Sequence, residues 1–236
     1  VVYTGIYSPP LGLDVEQEFL QHTTSAVSEN RTLNPTTIGG KDFFYTNTAY
    51  PTASSYMEIL TINYYDDYVD YTVTNGPILA PPTSVMGVPT TENINSVTTT
   101  QGLPTVTWAK VLGSGNPGLW ITTVMAYDGR GRATYTDSYN EFLQTRDVSR
   151  NLLEAVSGRV SETLTTHTKT GQSNINIRDY FTYDHMGRLL SQKQKIGNSP
   201  LQLIAENQYD ELGQLVRKNV GGETALEGYT DMEKIY

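Results

Sequence analysis

Apolar and polar residues alternate along much of this chain with a period of two, the pattern of strands that bury one face. The alternation is plain in 56–65 (Tyr56-Met57-Glu58-Ile59-Leu60-Thr61-Ile62-Asn63-Tyr64-Tyr65), and it returns in Tyr71-Thr72-Val73-Thr74. Thr105 to Leu112 and Leu119 to Tyr127 are a further pair of expected strands, separated by Gly113-Ser114-Gly115-Asn116-Pro117-Gly118, a loop. Beyond residue 119 the strands come in regular pairs: Arg178 to Tyr183 with Arg188 to Lys193, and Leu203 to Tyr209 with Gln214 to Lys218. Asp14 to Gln21 is the best helix candidate in the N-terminal part, with Val15, Phe19 and Leu20 on one face and acidic residues in the first turn; a short surface strand fits it equally. Residues 75–104 hold Pro77, Pro81, Pro82, Pro89 and Pro104 among Gly, Thr and Asn, which predicts a long loop or an irregular edge excursion.

Between the paired strands lies a repeat. Tyr127-Asp128-Gly129-Arg130-Gly131-Arg132, Tyr183-Asp184-His185-Met186-Gly187-Arg188 and Tyr209-Asp210-Glu211-Leu212-Gly213-Gln214 match one another, and Glu154-Ala155-Val156-Ser157-Gly158-Arg159 keeps only the Gly-Arg. The glycines at 131, 158, 187 and 213 recur at intervals of 27, 29 and 26 residues, a period that belongs to repeat architectures. Asp at the first turn position and Gly at the fourth is type I turn chemistry with a following bulge, so each unit predicts a β-hairpin. Tyr127 beside Arg132, and Tyr183 beside Arg188, are expected to meet across their own turns, the arginine stem on the ring. One hairpin is marginal alone. Four in series predict an all-β fold in which hairpins form a continuous antiparallel sheet that curves or spirals. Three segments follow: 1–60, β-rich and unassigned; 61–118, strand and loop with a degenerate Tyr-Asp turn; 119–236, the hairpin array.

Composition supports this and narrows the chemistry. Charged residues are 17% of the chain, against about 25% in ordinary domains. Thr (33) and Tyr (17) fill the gap, and both favour pleated, half-buried surfaces. The net charge of −9, with no Lys/Arg cluster, argues against a nucleic-acid partner. Cysteine is absent, which excludes disulfides and thiolate metal sites. No run of about 18 apolar residues predicts a membrane span. His22, His167 and His185 are scattered, and His185 reads as a solvated turn residue. Asp66, Asp67 and Asp70 are the best acidic cluster; a calcium site is weighed there against a decayed Tyr-Asp turn with solvated carboxylates, and the second fits better because the EF-hand spacing is missing. No catalytic, cofactor or metal residue is expected. A start at Val1 and an end at Ile235-Tyr236 are read as a part of a longer polypeptide.

The residues Tyr-Asp-x-x-Gly-Arg-Leu at this spacing are similar to the YD repeat of bacterial Rhs-type proteins. The likeness runs on through Tyr64-Tyr65-Asp66-Asp67-Tyr68, Gly102-Leu103-Pro104-Thr105, Lys110-Val111-Leu112-Gly113, Leu119-Trp120, Thr165-Thr166-His167-Thr168 and Asn207-Gln208-Tyr209-Asp210, and covers about residues 40–220. It resembles the segment that precedes the core in that family. The resemblance implies a secreted or cell-surface bacterial protein, non-catalytic in this segment, whose repeats build part of a β-sheet shell. Its partners would be the remainder of its own chain: a core segment and a C-terminal toxin domain that the shell encloses or presents. The alternative is an adhesion module for carbohydrate or a neighbouring cell surface. In either case Tyr127, Asp128, Gly131, Arg132, Gly158, Arg159, Tyr183, Asp184, Gly187, Arg188, Tyr209, Asp210 and Gly213 are expected to hold turns and sheet register.

Overall fold

The computed structural model describes residues 3–8, 28–52, 57–68, 79–90, 100–115, 118–221 and 233–235. The expected helix or strand at 14–21, the strand at 71–74, and Asp70 lie outside the described residues. Among the described residues the fold is all-β, with no helix. The strands are β1 (Tyr3–Tyr7), β2 (Arg31–Ile38), β3 (Lys41–Tyr45), β4 (Met57–Tyr65), β5 (Ser84–Val85), β6 (Val88–Pro89), β7 (Pro104–Lys110) and β8 (Trp120–Tyr127). They continue as β9 (Ala133–Asn140), β10 (Thr145–Leu153), β11 (Val160–Lys169), β12 (Ile175–Tyr183), β13 (Leu189–Ile196), β14 (Gln202–Tyr209), β15 (Leu215–Val220) and β16 (Glu233–Ile235).

Twelve of these form one sheet in the open order β1-β4-β7-β8-β9-β10-β11-β12-β13-β14-β15-β16, and the order does not close into a barrel. From β7 onward each strand lies beside its successor, the pattern of a meander built from local hairpins. Two small hairpins, β2-β3 and β5-β6, stand outside it. The β5-β6 hairpin falls within the stretch expected to be loop or irregular excursion. Its turn runs through Met86 and Gly87, at φ 50° and 83°.

The chain divides into two compact units. Unit 1 comprises Val1–Pro81, Asn93–Met125 and Ser138–Gln144; unit 2 comprises Pro82–Glu92, Ala126–Asp137 and Thr145–Tyr236. Unit 1 has a dense aromatic core in which Phe43, Tyr45, Ile62, Tyr64, Val106, Trp108, Trp120 and Val124 are buried. Tyr45 and Tyr64 stack at 5.3 Å between ring centres, and Trp108 meets Tyr64 edge-on at 5.2 Å. Every Lys or Arg of unit 1 is engaged. Arg31 lies 4.5 Å from the Tyr64 ring and 3.0 Å from Asp67, Lys41 lies 3.9 Å from the Trp108 ring, and Lys110 pairs with Glu58 at 2.9 Å.

Unit 2 is built otherwise. Among the described residues its buried cluster holds Val85, Ala126, Tyr135 and Val148. Along β10 to β13 nearly every residue is half-buried or exposed, instead of alternating buried and exposed. Such a sheet meets solvent on both faces, which explains why it is written in Thr, Ser, Asn, Gln and charged residues. Cross-strand side-chain pairs add to that small cluster: Thr163 with Asn151 at 3.0 Å, Thr166 with Asn176 at 2.8 Å, Thr182 with Ser191 at 2.7 Å.

Candidate functional site

The Tyr-Asp segments are the turns after β8, β12 and β14, and the degenerate one is the turn after β10. In an antiparallel meander alternate turns fall on one rim of the sheet, so all four line the same rim of unit 2. Each is closed in one way. The N–H of Asp128 donates to the Arg132 carbonyl at 2.9 Å, and the N–H of Gly131 donates back to the Asp128 carbonyl at 2.9 Å. The same two bonds recur for Asp184 with Arg188 and Gly187, and for Asp210 with Gln214 and Gly213. Gly131, Gly187 and Gly213 sit at φ 73°, 87° and 83°, the left-handed position that follows the type I turn. The 154–159 turn is one residue longer and closes from Glu154 to Arg159 at 2.8 Å, with Gly158 at φ 74°.

The Asp side chain fixes the turn from within. Asp184 Oδ1 accepts from the N–H groups of Met186 and Arg188, both at 2.9 Å, and Oδ2 accepts from Arg188 Nε at 2.6 Å. Asp128 does the same for Arg130 and Arg132. Burial pushes the Asp128 carboxyl pKa up, but the hydrogen bonds from the Arg132 side chain and the two N–H groups outweigh it and leave it below its ordinary value. Asp210 keeps the Gln214 N–H bond at 2.8 Å and, with Gln at the arginine position, has no guanidinium to receive.

The arginines do not lie on the tyrosines of their own turns, as the sequence led us to expect. Each, held by its own turn's acid, reaches to the next turn along the rim. Arg188 lies 4.6 Å from the Tyr209 ring, and Arg159 lies 5.7 Å from the Tyr183 ring. Arg132 donates to the Glu154 carbonyl at 3.2 Å. The next turn's glycine leaves room for it: a Cβ on Gly158 would stand 3.0 Å from Arg132, one on Gly213 2.6 Å from Arg188, and one on Gly187 would overlap the Arg159 guanidinium. The tyrosine answers in the opposite direction. Tyr183 Oη donates to the Val160 carbonyl at 2.9 Å and Tyr209 Oη to the Leu189 carbonyl at 3.1 Å, in each case the residue after the preceding turn's arginine. Tyr, Asp, Gly and Arg are therefore a two-way clasp between successive hairpins.

Unit 1 contains a fifth turn of this build, split in two. Asp66 N–H donates to the Leu103 carbonyl at 3.2 Å, and Leu103 follows Gly102, at φ 75°, as Arg132 follows Gly131. Asp66 Oδ1 accepts from Gly102 N–H at 2.6 Å. The register slips where Tyr65 pairs with Pro104, two residues past the glycine, as it does where Tyr183 pairs with Leu189 and Tyr209 with Leu215. The 35 residues 67–101 are thus inserted inside a Tyr-Asp turn. A signal for it stood in the sequence: Gly102 precedes Gly131 by 29 residues, in phase with the series. The structure also accounts for Asp66 and Asp67 as turn and Arg31 partners, and no three His, Asp or Glu side chains converge as a metal site among the described residues.

Elsewhere, Asp137 is fully buried and receives Arg146 at 2.8 and 2.6 Å and Tyr135 Oη at 2.9 Å. Burial pushes Tyr45, Tyr127 and Tyr135 up to about 12. His167 meets Asp147 on an exposed strand face, and His185 lies in its turn. Unit 1 has a cavity of about 520 Å³ walled by Tyr3, Tyr7, Tyr50, Pro51, Met57 and Glu58. Trp108 and Trp120 are buried and contribute nothing to an exposed aromatic patch. No helix among the described residues is long and apolar enough to cross a membrane. Comparison with protein-family models and with curated proteins finds no match to this chain.

Proposed function

We propose that this chain is a structural YD-repeat segment of a large secreted or cell-surface bacterial protein of the Rhs type, non-catalytic itself, forming part of a β-shell that encloses or presents a C-terminal effector. The observation that carries the reading is the clasp. A residue set that serves only to seat one hairpin on the next is what a wall assembled by repetition requires. A sheet solvated on both faces suits a wall between two aqueous spaces, and the small buried cluster of unit 2 suits a device whose work is its extent. The test is limited proteolysis of the full-length parent protein. The C-terminal region is expected to resist protease in the wild type and to become sensitive when Arg159 and Arg188 are both changed to Ala. Equal digestion in the two proteins would refute the enclosure.

A second reading, an adhesion module for carbohydrate, is favoured by the unit 1 cavity, whose tyrosines Tyr7 and Tyr50 meet at 6.0 Å. A glycan array read against a Tyr50→Ala variant separates it from the first.

A further inference from the structure

Strand register fixes which side chains share a face in unit 2. Arg146 and Arg150 lie opposite Thr168 and Leu164, Leu164 lies opposite Arg178, and Arg178 lies directly opposite Lys195. Glu162 is opposite Tyr180, and Tyr180 is opposite Lys193. Lys193 pairs with Leu203, Ser191 with Glu206, Glu206 with Asn219, and Gln208 with Arg217. One face of β10–β15 therefore carries Arg146, Arg150, Arg178, Lys193, Lys195 and Arg217 against Glu162 and Glu206. That is a local +4 in a chain of −9, so the rest of the chain carries −13.

The cations on this face are not equal. Arg146 is taken by the buried Asp137, Arg150 lies 5.6 Å from the Tyr135 ring, and Arg217 Nε donates to Asn219 Oδ1 at 3.1 Å. Arg178 has Glu162 at 3.2 Å. Among the described residues neither Lys193 nor Lys195 has a carboxylate partner. Like charges directly opposite each other on a sheet destabilise it, and here Arg178 faces Lys195 with Lys193 two residues away. Glu162 answers Arg178, so of these three the charges left without a carboxylate among the described residues are those of Lys193 and Lys195, and an acidic group from outside the chain would supply it.

We propose that the Arg178–Lys193–Lys195 cluster is a docking site for an acidic polypeptide segment, its carboxylates seated between the two lysines. Complementarity of charge gives the sign of the partner, and the surroundings give its kind. A long nucleic-acid backbone would extend past this +4 face, and the rest of the chain carries −13, whereas a short acidic stretch ends where the patch ends. The site stands independently of the shell reading.

The experiment is fluorescence anisotropy of the whole chain with a labelled peptide of alternating Glu and Ser. Saturable binding at low ionic strength is expected, lost as salt rises, and weakened at least about tenfold by K193E/K195E. Lys218 faces the other way, opposite Asn207, and K218Q is expected to leave binding unchanged. K195Q is expected to weaken binding while raising the unfolding midpoint of the free protein, because it relieves the repulsion from Arg178. The proposal is overturned by any of four results: no saturable binding, equal weakening by K218Q, a single-stranded oligonucleotide that binds more tightly than the peptide in the same buffer, or a K195Q variant that binds the peptide as the wild type does.

Discussion

Gly187 and Gly171 share a backbone conformation, at φ 87° and 79°, but not a neighbourhood. Open space surrounds the Cβ position of Gly171, so Gly171→Ala meets strain alone, about 1–2 kcal/mol. Gly187→Ala adds the eviction of the Arg159 guanidinium from its seat. It should cost more than Gly171→Ala in urea titrations, and the excess should vanish in an Arg159→Ala background, where the seat is empty. Equal costs in the wild-type background would mean that the arginine's position is incidental. The Asp128 carboxyl makes a second prediction at this scale. Its folded pKa lies below its ordinary value of 3.8, so the stability it contributes is fully present above 3.8 and is lost as pH falls through the lower folded value. Asp184 is shifted the same way, burial again raising it and its Arg188 hydrogen bonds prevailing. An Asp128→Asn/Asp184→Asn protein should be less stable than wild type at neutral pH and lose less as it is acidified below that value. Urea midpoints measured across the acid range test both parts.

At the scale of the element, the hairpin is legible in the sequence and its partner is not. Asp-x-x-Gly is local chemistry, and four residues suffice to name the turn. The direction of the arginine is set by which strand follows which on the rim and by where the next glycine falls, and neither is a local property. Hence Arg188 was expected on Tyr183 and lies on Tyr209. The degenerate Tyr-Asp turn expected within 61–118 is a turn at Asp66, but its closing half was hidden for a related reason: 35 residues separate Asp66 from Gly102, so no contiguous motif exists, and the phase of Gly102 is what marks the second half. The unit 1 core was readable from alternation in β4, β7 and β8, but the solvated sheet of unit 2 was not, because Thr and Tyr favour strands whether or not a core lies beneath them. The clasp makes a directional prediction. Arg188→Ala should speed amide exchange at Asp210 and Gly213, in the next turn, more than at Glu154 and Gly158, in the preceding one. A double-mutant cycle of Arg188 with Tyr209 should give a coupling of about 0.5–1 kcal/mol. The same cycle with Tyr183 should give none.

The two units differ most at the scale of the whole chain. Among the described residues thirteen buried side chains form the principal cluster of unit 1 and four form that of unit 2, although unit 2 holds more of the described strands. Burial of apolar surface is the main stabilising term in folding, so the two should not be equally resistant to denaturant. Unit 2 instead relies on nearest-neighbour terms, hairpin on hairpin, which sum gradually and fray from an end. Both tryptophans, Trp108 and Trp120, sit in the unit 1 core, with Lys41 against their rings at 3.9 and 5.0 Å. Tryptophan fluorescence therefore reports unit 1 alone, while far-ultraviolet circular dichroism is weighted toward the strands of unit 2. Under urea the dichroism transition should begin at lower concentration and be broader than the fluorescence transition. Arg159→Ala and Arg188→Ala should shift the first and leave the second in place. Coincident curves in the wild type, moved together by the arginine variants, would mean that the sheet unfolds as one cooperative body and that the clasps support unit 1 as much as unit 2.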